Sequence, residues 1–144
     1  MMIREARPDD GGAIQQLLDE LQQATGNEGA PFSEEVFAEL LSGARGRVLV
    51  AEKDARLLGM ATVSYNLALR YDGEYCQLEE LVVSPAARGL KLGARLIEQT
   101  IADARQRGCA EFGLYLVEST EHNRPFYEKV GFTAVGTEMR QSLL

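Results

Sequence analysis

The sequence predicts a mixed α/β fold, about six to seven strands in one mostly antiparallel sheet flanked by about four helices. Three observations carry that prediction. Short apolar runs bounded by turn residues recur through the first half of the chain. Apolar residues spaced three and four apart mark amphipathic helices between and after them. Gln77 to Gly108 then reads as strand, turn, glycine-bearing loop and long helix, and another apolar run follows. Strand, crossover helix and strand make a parallel pair.

Met2 to Arg7 is the first strand candidate, and Pro8-Asp9-Asp10 starts a helix with an Asp available as N-cap. Ile14, Leu17, Leu18 and Leu21 form its apolar stripe, and Gly26 to Pro31 breaks it. Ser33 can cap a second helix whose apolar face is Val36, Phe37, Leu40 and Leu41, ending at Gly43. Arg47 to Glu52 and Leu57 to Leu69 are strands joined by the turn Lys53-Asp54-Ala55-Arg56, with a bend expected near Gly59. Asp72-Gly73 is a strong turn dipeptide and returns the chain as the strand Tyr75 to Val83. Pro85 stops that strand. The next helix presents Leu92, Leu96, Ile97, Thr100, Ile101 and Ala104, and Gly108 terminates it. Phe112 to Val117 is apolar enough for a central strand. A short helix carries Phe126, Tyr127 and Val130 up to Gly131, and Phe132 to Leu143 supplies a last strand or hairpin.

The 144 residues fit one domain, 1–144, with no repeat, low-complexity segment or linker. Hydrophobic content of 45% and charged content of 26% are ordinary globular values. No apolar run approaches the roughly 18 residues of a membrane span. MMIREARPDD has no basic region followed by an apolar one, so no signal peptide is expected. Cys76 and Cys109, 33 positions apart, lack metal-ligand spacing and read as free thiols, which fits a reducing cytoplasm. A net charge of −7 argues against nucleic-acid or anionic-membrane partners. The charge is uneven: Ser84 to Arg107 is +3, leaving −10 elsewhere. A basic locale in an acidic chain suits an anionic ligand, and Arg88 and Lys91 are its candidates. Arg105 and Arg107 suit a helix C-terminus equally well.

Arg88-Gly89-Leu90-Lys91-Leu92-Gly93 lies between a strand and a helix start, where unpaired amides and the helix dipole converge on an anion. Gly89 permits a tight turn, and Gly93 permits a ligand or strand to approach. Neither a dinucleotide G-x-G-x-x-G nor a Walker loop is present. Tyr127 follows Phe126 and points about 100° off its face, toward a cleft or solvent. A phenol of pKa near 10 can protonate a thiolate of similar basicity. Glu79 and Glu80, neighbours on a strand, are expected on opposite faces, so that one enters the cleft as a general base. His122 reads as a loop residue.

Leu78-Glu79-Glu80-Leu81-Val82-Val83-Ser84-Pro85, Arg88 to Gly93, and Phe126-Tyr127-Glu128-Lys129-Val130-Gly131-Phe132 together resemble the GCN5-related N-acetyltransferase (GNAT) superfamily. The three segments look like its fourth strand, its R/Q-x-x-G-x-G/A pyrophosphate loop and its F-Y-E-K-x-G-F segment. Lys91 departs from the loop's usual glycine. The resemblance covers nearly the whole chain and implies a parallel strand pair at a CoA-binding cleft. It implies that backbone groups of Leu81, Val82 and Val83 pair with pantetheine. Amides of Arg88, Gly89, Leu90, Lys91, Leu92, Gly93 and Ala94 would hold the pyrophosphate. Asn123 would contact the CoA arm, Tyr127 would protonate the departing thiolate, and Glu79 or Glu80 would take the amine's proton.

The implied activity is acetyl transfer from acetyl-CoA to a primary amine of a small molecule, by direct attack in a ternary complex. No metal takes part, and a homodimer is left open. Acceptor choice would lie in Gly26 to Pro31 and Asn66 to Glu74, where Glu28, Asp72 and Glu74 suit a cationic small amine or a peptide amino group, and equally a solvated acidic surface. The other readings are acetylation of protein or peptide amino groups, a non-catalytic acyl-CoA sensor, and a generic phosphate-binding domain.

Overall fold

A computed structural model describes residues 1–26, 29–87 and 89–144. Asn27, Glu28 and Arg88, the last two named above as candidates, lie outside the described residues. In chain order the elements are β1 (Met2–Glu5), α1 (Gly11–Thr25), α2 (Glu34–Leu41), β2 (Gly46–Lys53), β3 (Arg56–Ala68), β4 (Gly73–Val83), α3 (Leu92–Arg107), β5 (Phe112–Gly113) and α4 (Arg124–Lys129). The mixed α/β prediction holds. The described residues form five strands rather than six to seven, in the order β1-β2-β3-β4-β5, antiparallel except for the parallel pair β4–β5.

Local chemistry sets most of these boundaries. Ser33 Oγ accepts the Val36 amide at 3.2 Å and caps α2. Asp10 is drawn instead to Arg4, at 2.8 and 3.0 Å, and to the Arg7 amide at 2.6 Å. Gly108, at φ +89°, closes α3 in the left-handed conformation that only glycine adopts freely. Asp54 and Ala55, at φ 51° and 63°, turn the chain from β2 to β3.

The sheet is buried on both faces. Ile14 and Leu17 of α1 and Phe37 of α2 pack on Val48, Val50, Met60 and Val82. Leu92, Leu96, Ile97 and Ala104 of α3 cover Ala51, Ala61, Val63 and Leu78 on the other face. Val36, expected on α2's apolar face, is exposed.

Two strand predictions fail at the C-terminal side. β5 pairs at Phe112 and Gly113 alone, and it is the sheet's edge rather than a central strand. Thr133 to Leu144 is exposed throughout and forms no strand. Its alternate positions mix Val135, Met139 and Leu143 with Thr and Gln, too sparse an apolar face to hold a strand on the sheet.

Candidate active site

A β-bulge in β4 organises the site. Opposite Thr62 sits Glu80 and opposite Val63 sits Leu78, so Glu79 is the extra residue. A bulge bends its strand and sharpens the local twist. Pairing between β4 and β5 ends at Gln77 and Gly113, just before it. From Leu78 to Val83, β4 is bonded to β3 on one side and, among the described residues, carries an open edge on the other.

The bulge also corrects the placement of the two acids. Thr62 and Ser64 are alternate residues of β3 and share a face. Thr62 Oγ1 donates to Glu80 Oε1 at 2.5 Å, and Ser64 Oγ donates to Glu79 Oε2 at 2.6 Å. Both carboxylates therefore lie on the face under α1, not on opposite faces, because the extra residue breaks the strand's period of two. Burial holds the Glu80 carboxyl above its usual range, the Thr62 hydrogen bond pulls it back, and the Glu79 charge pushes it up. Glu79 is exposed.

The anion-binding turn lies at the end of the open edge. Gly89 has φ +85°, and Lys91 occupies the left-handed region at φ 53° as the N-cap of α3. The first helical bond there runs from the Arg95 amide to the Lys91 carbonyl, 3.2 Å. The amides of Leu92, Gly93 and Ala94 precede it and have no carbonyl of their own turn to bond. Leu92 is core, 1% exposed, and Leu90 packs against that core, with its amide already donated to the Ala87 carbonyl at 3.2 Å, so of the amides expected to hold an anion Leu90's is not free. Gly93 faces no empty space: a Cβ there would come 3.3 Å from Phe126 Cζ and 3.7 Å from Val83 Cγ2.

Phe126 thereby docks α4 on the first turn of α3 and fixes Tyr127. The Tyr127 ring is half-buried, edge-on to Phe126 at 5.0 Å and to Phe132 at 6.1 Å between centroids. Among the described residues its side chain makes no hydrogen bond, and burial raises its pKa. Tyr127 packs with the α3-side cluster, whereas Glu80 lies on the α1 side. Asn123 is exposed at the N-cap of α4, and neighbouring His122 is an exposed residue of the turn Glu118–Asn123.

Other side chains are excluded. Cys76 is fully buried with its thiol pushed up to about 12 by burial, and burial also raises half-buried Cys109. Neither is poised as a nucleophile. Glu74 is held by Arg107 at 2.8 and 3.1 Å, so it is not free for an amine. A cavity of about 360 Å³ between the C-terminal parts of α2 and α3 lies away from the site and is lined by Glu5, Arg47, Tyr65 and Asp103. Arg47 there forms ion pairs with Glu5 and Asp103. A cleft of about 390 Å³ between Thr25 of α1 and Val117, Glu118 and Ser119 had no counterpart in the sequence reading beyond a polar stretch. Thr62 and Ser64 were also missed. Thr62-x-Ser64-x-Asn66, polar at every second position of an otherwise apolar strand, was the available signal.

Comparison with known proteins agrees with this architecture. A model of the acetyltransferase (GNAT) family matches residues 14–132. The chain is 28% identical over 142 residues to glucosamine 6-phosphate N-acetyltransferase of Trypanosoma brucei brucei, covering 98% of this chain and 95% of that protein. It is 35% identical over 117 residues to glucosamine 6-phosphate N-acetyltransferase 1 of Oryza sativa subsp. japonica, covering 76% and 69%. The crystal structure of a Trypanosoma brucei acetyltransferase superposes with a TM-score of 0.80 at 28% identity, over 99% of each chain.

Proposed function

The chain belongs to the acetyltransferase (GNAT) family, and from that premise we propose an acetyl-CoA-dependent N-acetyltransferase acting on a primary amine of a small molecule. The observation that carries this reading is the open edge of β4, Leu78 to Val83, leading to the free amides at the start of α3. An amide-bearing arm laid along Leu81, Val82 and Val83 completes the missing ladder as an added strand. A pyrophosphate then reaches Gly89 to Ala94, where Lys91 adds a cation.

The amine attacks the thioester carbonyl directly in the ternary complex. Its nitrogen–carbon bond forms as the carbon–sulfur bond breaks. Glu80 takes the proton from nitrogen, and Tyr127 gives its proton to the departing sulfur. Exchange with solvent restores both groups. The raised Glu80 carboxyl makes a better base than an ordinary one, and raised Tyr127 stays protonated at neutral pH. The buried, unreactive thiols favour direct attack over an acetyl-cysteine intermediate.

CoA release from acetyl-CoA across an amine panel is the test. Glucosamine 6-phosphate, named for the relatives, heads the panel beside diamines, amino acids and a peptide. Amine-dependent release with at least one small amine supports the reading. Binding of acetyl-CoA without release for any member would make the protein an acyl-CoA sensor.

A further inference from the structure

We infer that Thr62 is a positioning residue for acetyl transfer, and that by engaging Glu80 Oε1 it leaves Oε2 as the atom that takes the amine's proton. The inference rests on the reading of Glu80 as the base.

Thr62 touches Glu80 twice. The Glu80 amide donates to Thr62 Oγ1 at 3.1 Å, and the same hydroxyl donates to Glu80 Oε1 at 2.5 Å. A hydroxyl has one proton to give. Accepting the amide leaves that proton aimed at the carboxylate, so the side chain is folded back over its own backbone. Thr62 is 4% exposed, so water does not compete, and its branched Cβ restricts the rotamer. Oε2 accepts no hydrogen bond among the described residues. The neighbouring pair does not reproduce this arrangement. Ser64 bonds Glu79 at 2.6 Å but is shared with Asn66 Nδ2 at 3.0 Å, and it sits beside exposed Glu79.

The hydroxyl also favours the charged carboxylate, against burial and the Glu79 charge. Asp19 and Glu20 lie on α1, which packs over this face, Arg56 on β3 and Glu79 on β4. Of these, Glu79 is the charge that bears on Glu80. It remains in a Thr62 variant.

Thr62→Val, Thr62→Ser and Glu80→Gln, assayed for kcat against pH at saturating substrates, test the inference. Thr62→Val should move the acidic limb up by about one pH unit, and lower kcat at pH values below the limb about tenfold. KM for acetyl-CoA should stay within about twofold, and serine, which keeps the hydroxyl, should restore the limb. Should the valine protein not fold, Thr62→Ala gives the same readout. An unmoved limb in Thr62→Val, or a serine variant no better than valine, overturns the inference. If Glu80→Gln keeps full turnover, the reading of Glu80 as base falls and this inference with it. If Glu80→Gln is inactive while Thr62→Val behaves as the parent, this inference alone falls.

Discussion

The ring of Phe126 rests on Gly93: a Cβ at position 93 would stand 3.3 Å from Cζ, a tight contact that the ring must yield to by a few tenths of an ångström. The contact couples the anion-binding turn of α3 to the helix that carries Tyr127. A branched residue at 93 adds atoms beyond that Cβ and must move Phe126 or the turn. Gly93→Val should therefore lower both acetyl-CoA affinity and turnover, and Phe126→Ala in the same chain should recover part of the loss. A double-mutant cycle on Kd and kcat measures the coupling, expected at about 0.5–3 kcal/mol for residues in contact. Additive losses would show that the two segments act independently.

Tyr127→Phe removes the hydroxyl and keeps the ring that packs between Phe126 and Phe132. Turnover should fall roughly 100-fold while acetyl-CoA affinity, read by calorimetry, changes little. The alkaline limb of the parent's pH profile should lie above the usual phenol range, because burial raises this group. Turnover unchanged in the phenylalanine variant would remove Tyr127 from the reaction.

Glu80 links the site to stability. Its folded-state pKa is raised, chiefly by burial, so folding favours the protonated carboxyl. The stability this group contributes is complete below the unfolded carboxylate's pKa, and it is lost as pH rises through the raised folded value. Glu80→Gln imitates the protonated form. Its melting temperature should exceed the parent's most at pH 8 and converge with it at pH 4. Parallel curves across that range would contradict the raised carboxyl.

Lys91 stands in the left-handed region, where a side chain costs roughly 1–2 kcal/mol that glycine avoids. Lys91→Gly should raise or hold the melting temperature while weakening acetyl-CoA binding several-fold at low salt, and less at high salt as screening grows. Equal binding at all salt concentrations would detach Lys91 from the anion site.

Much of this molecule is legible from local chemistry. Ser33, Asp72-Gly73 and Gly108 set boundaries through caps and turns whose rules need no partner strand. The α3 stripe of Leu92, Leu96 and Ile97 is visible as a spacing and is buried as expected. What stayed hidden depends on register between strands. Two adjacent glutamates read as opposite-facing until the bulge is seen, and a bulge is a property of the β3–β4 pair rather than of either strand. Pairing of β5 stops at Gly113, just before that bulge, although Phe112 to Val117 is apolar enough for a longer strand. Thr62 is hidden for a related reason: the alternation Thr62-x-Ser64-x-Asn66 marks a polar stripe on the strand, but which carboxylate it meets depends on the cross-strand register.

Amide hydrogen exchange with and without acetyl-CoA addresses the central claim most directly, because it reads the open edge itself. The account predicts new protection at residues 78–83 of β4 and 89–94 at the start of α3, with little change in β1 and β2. Bound acetyl-CoA that leaves both segments unprotected would contradict it.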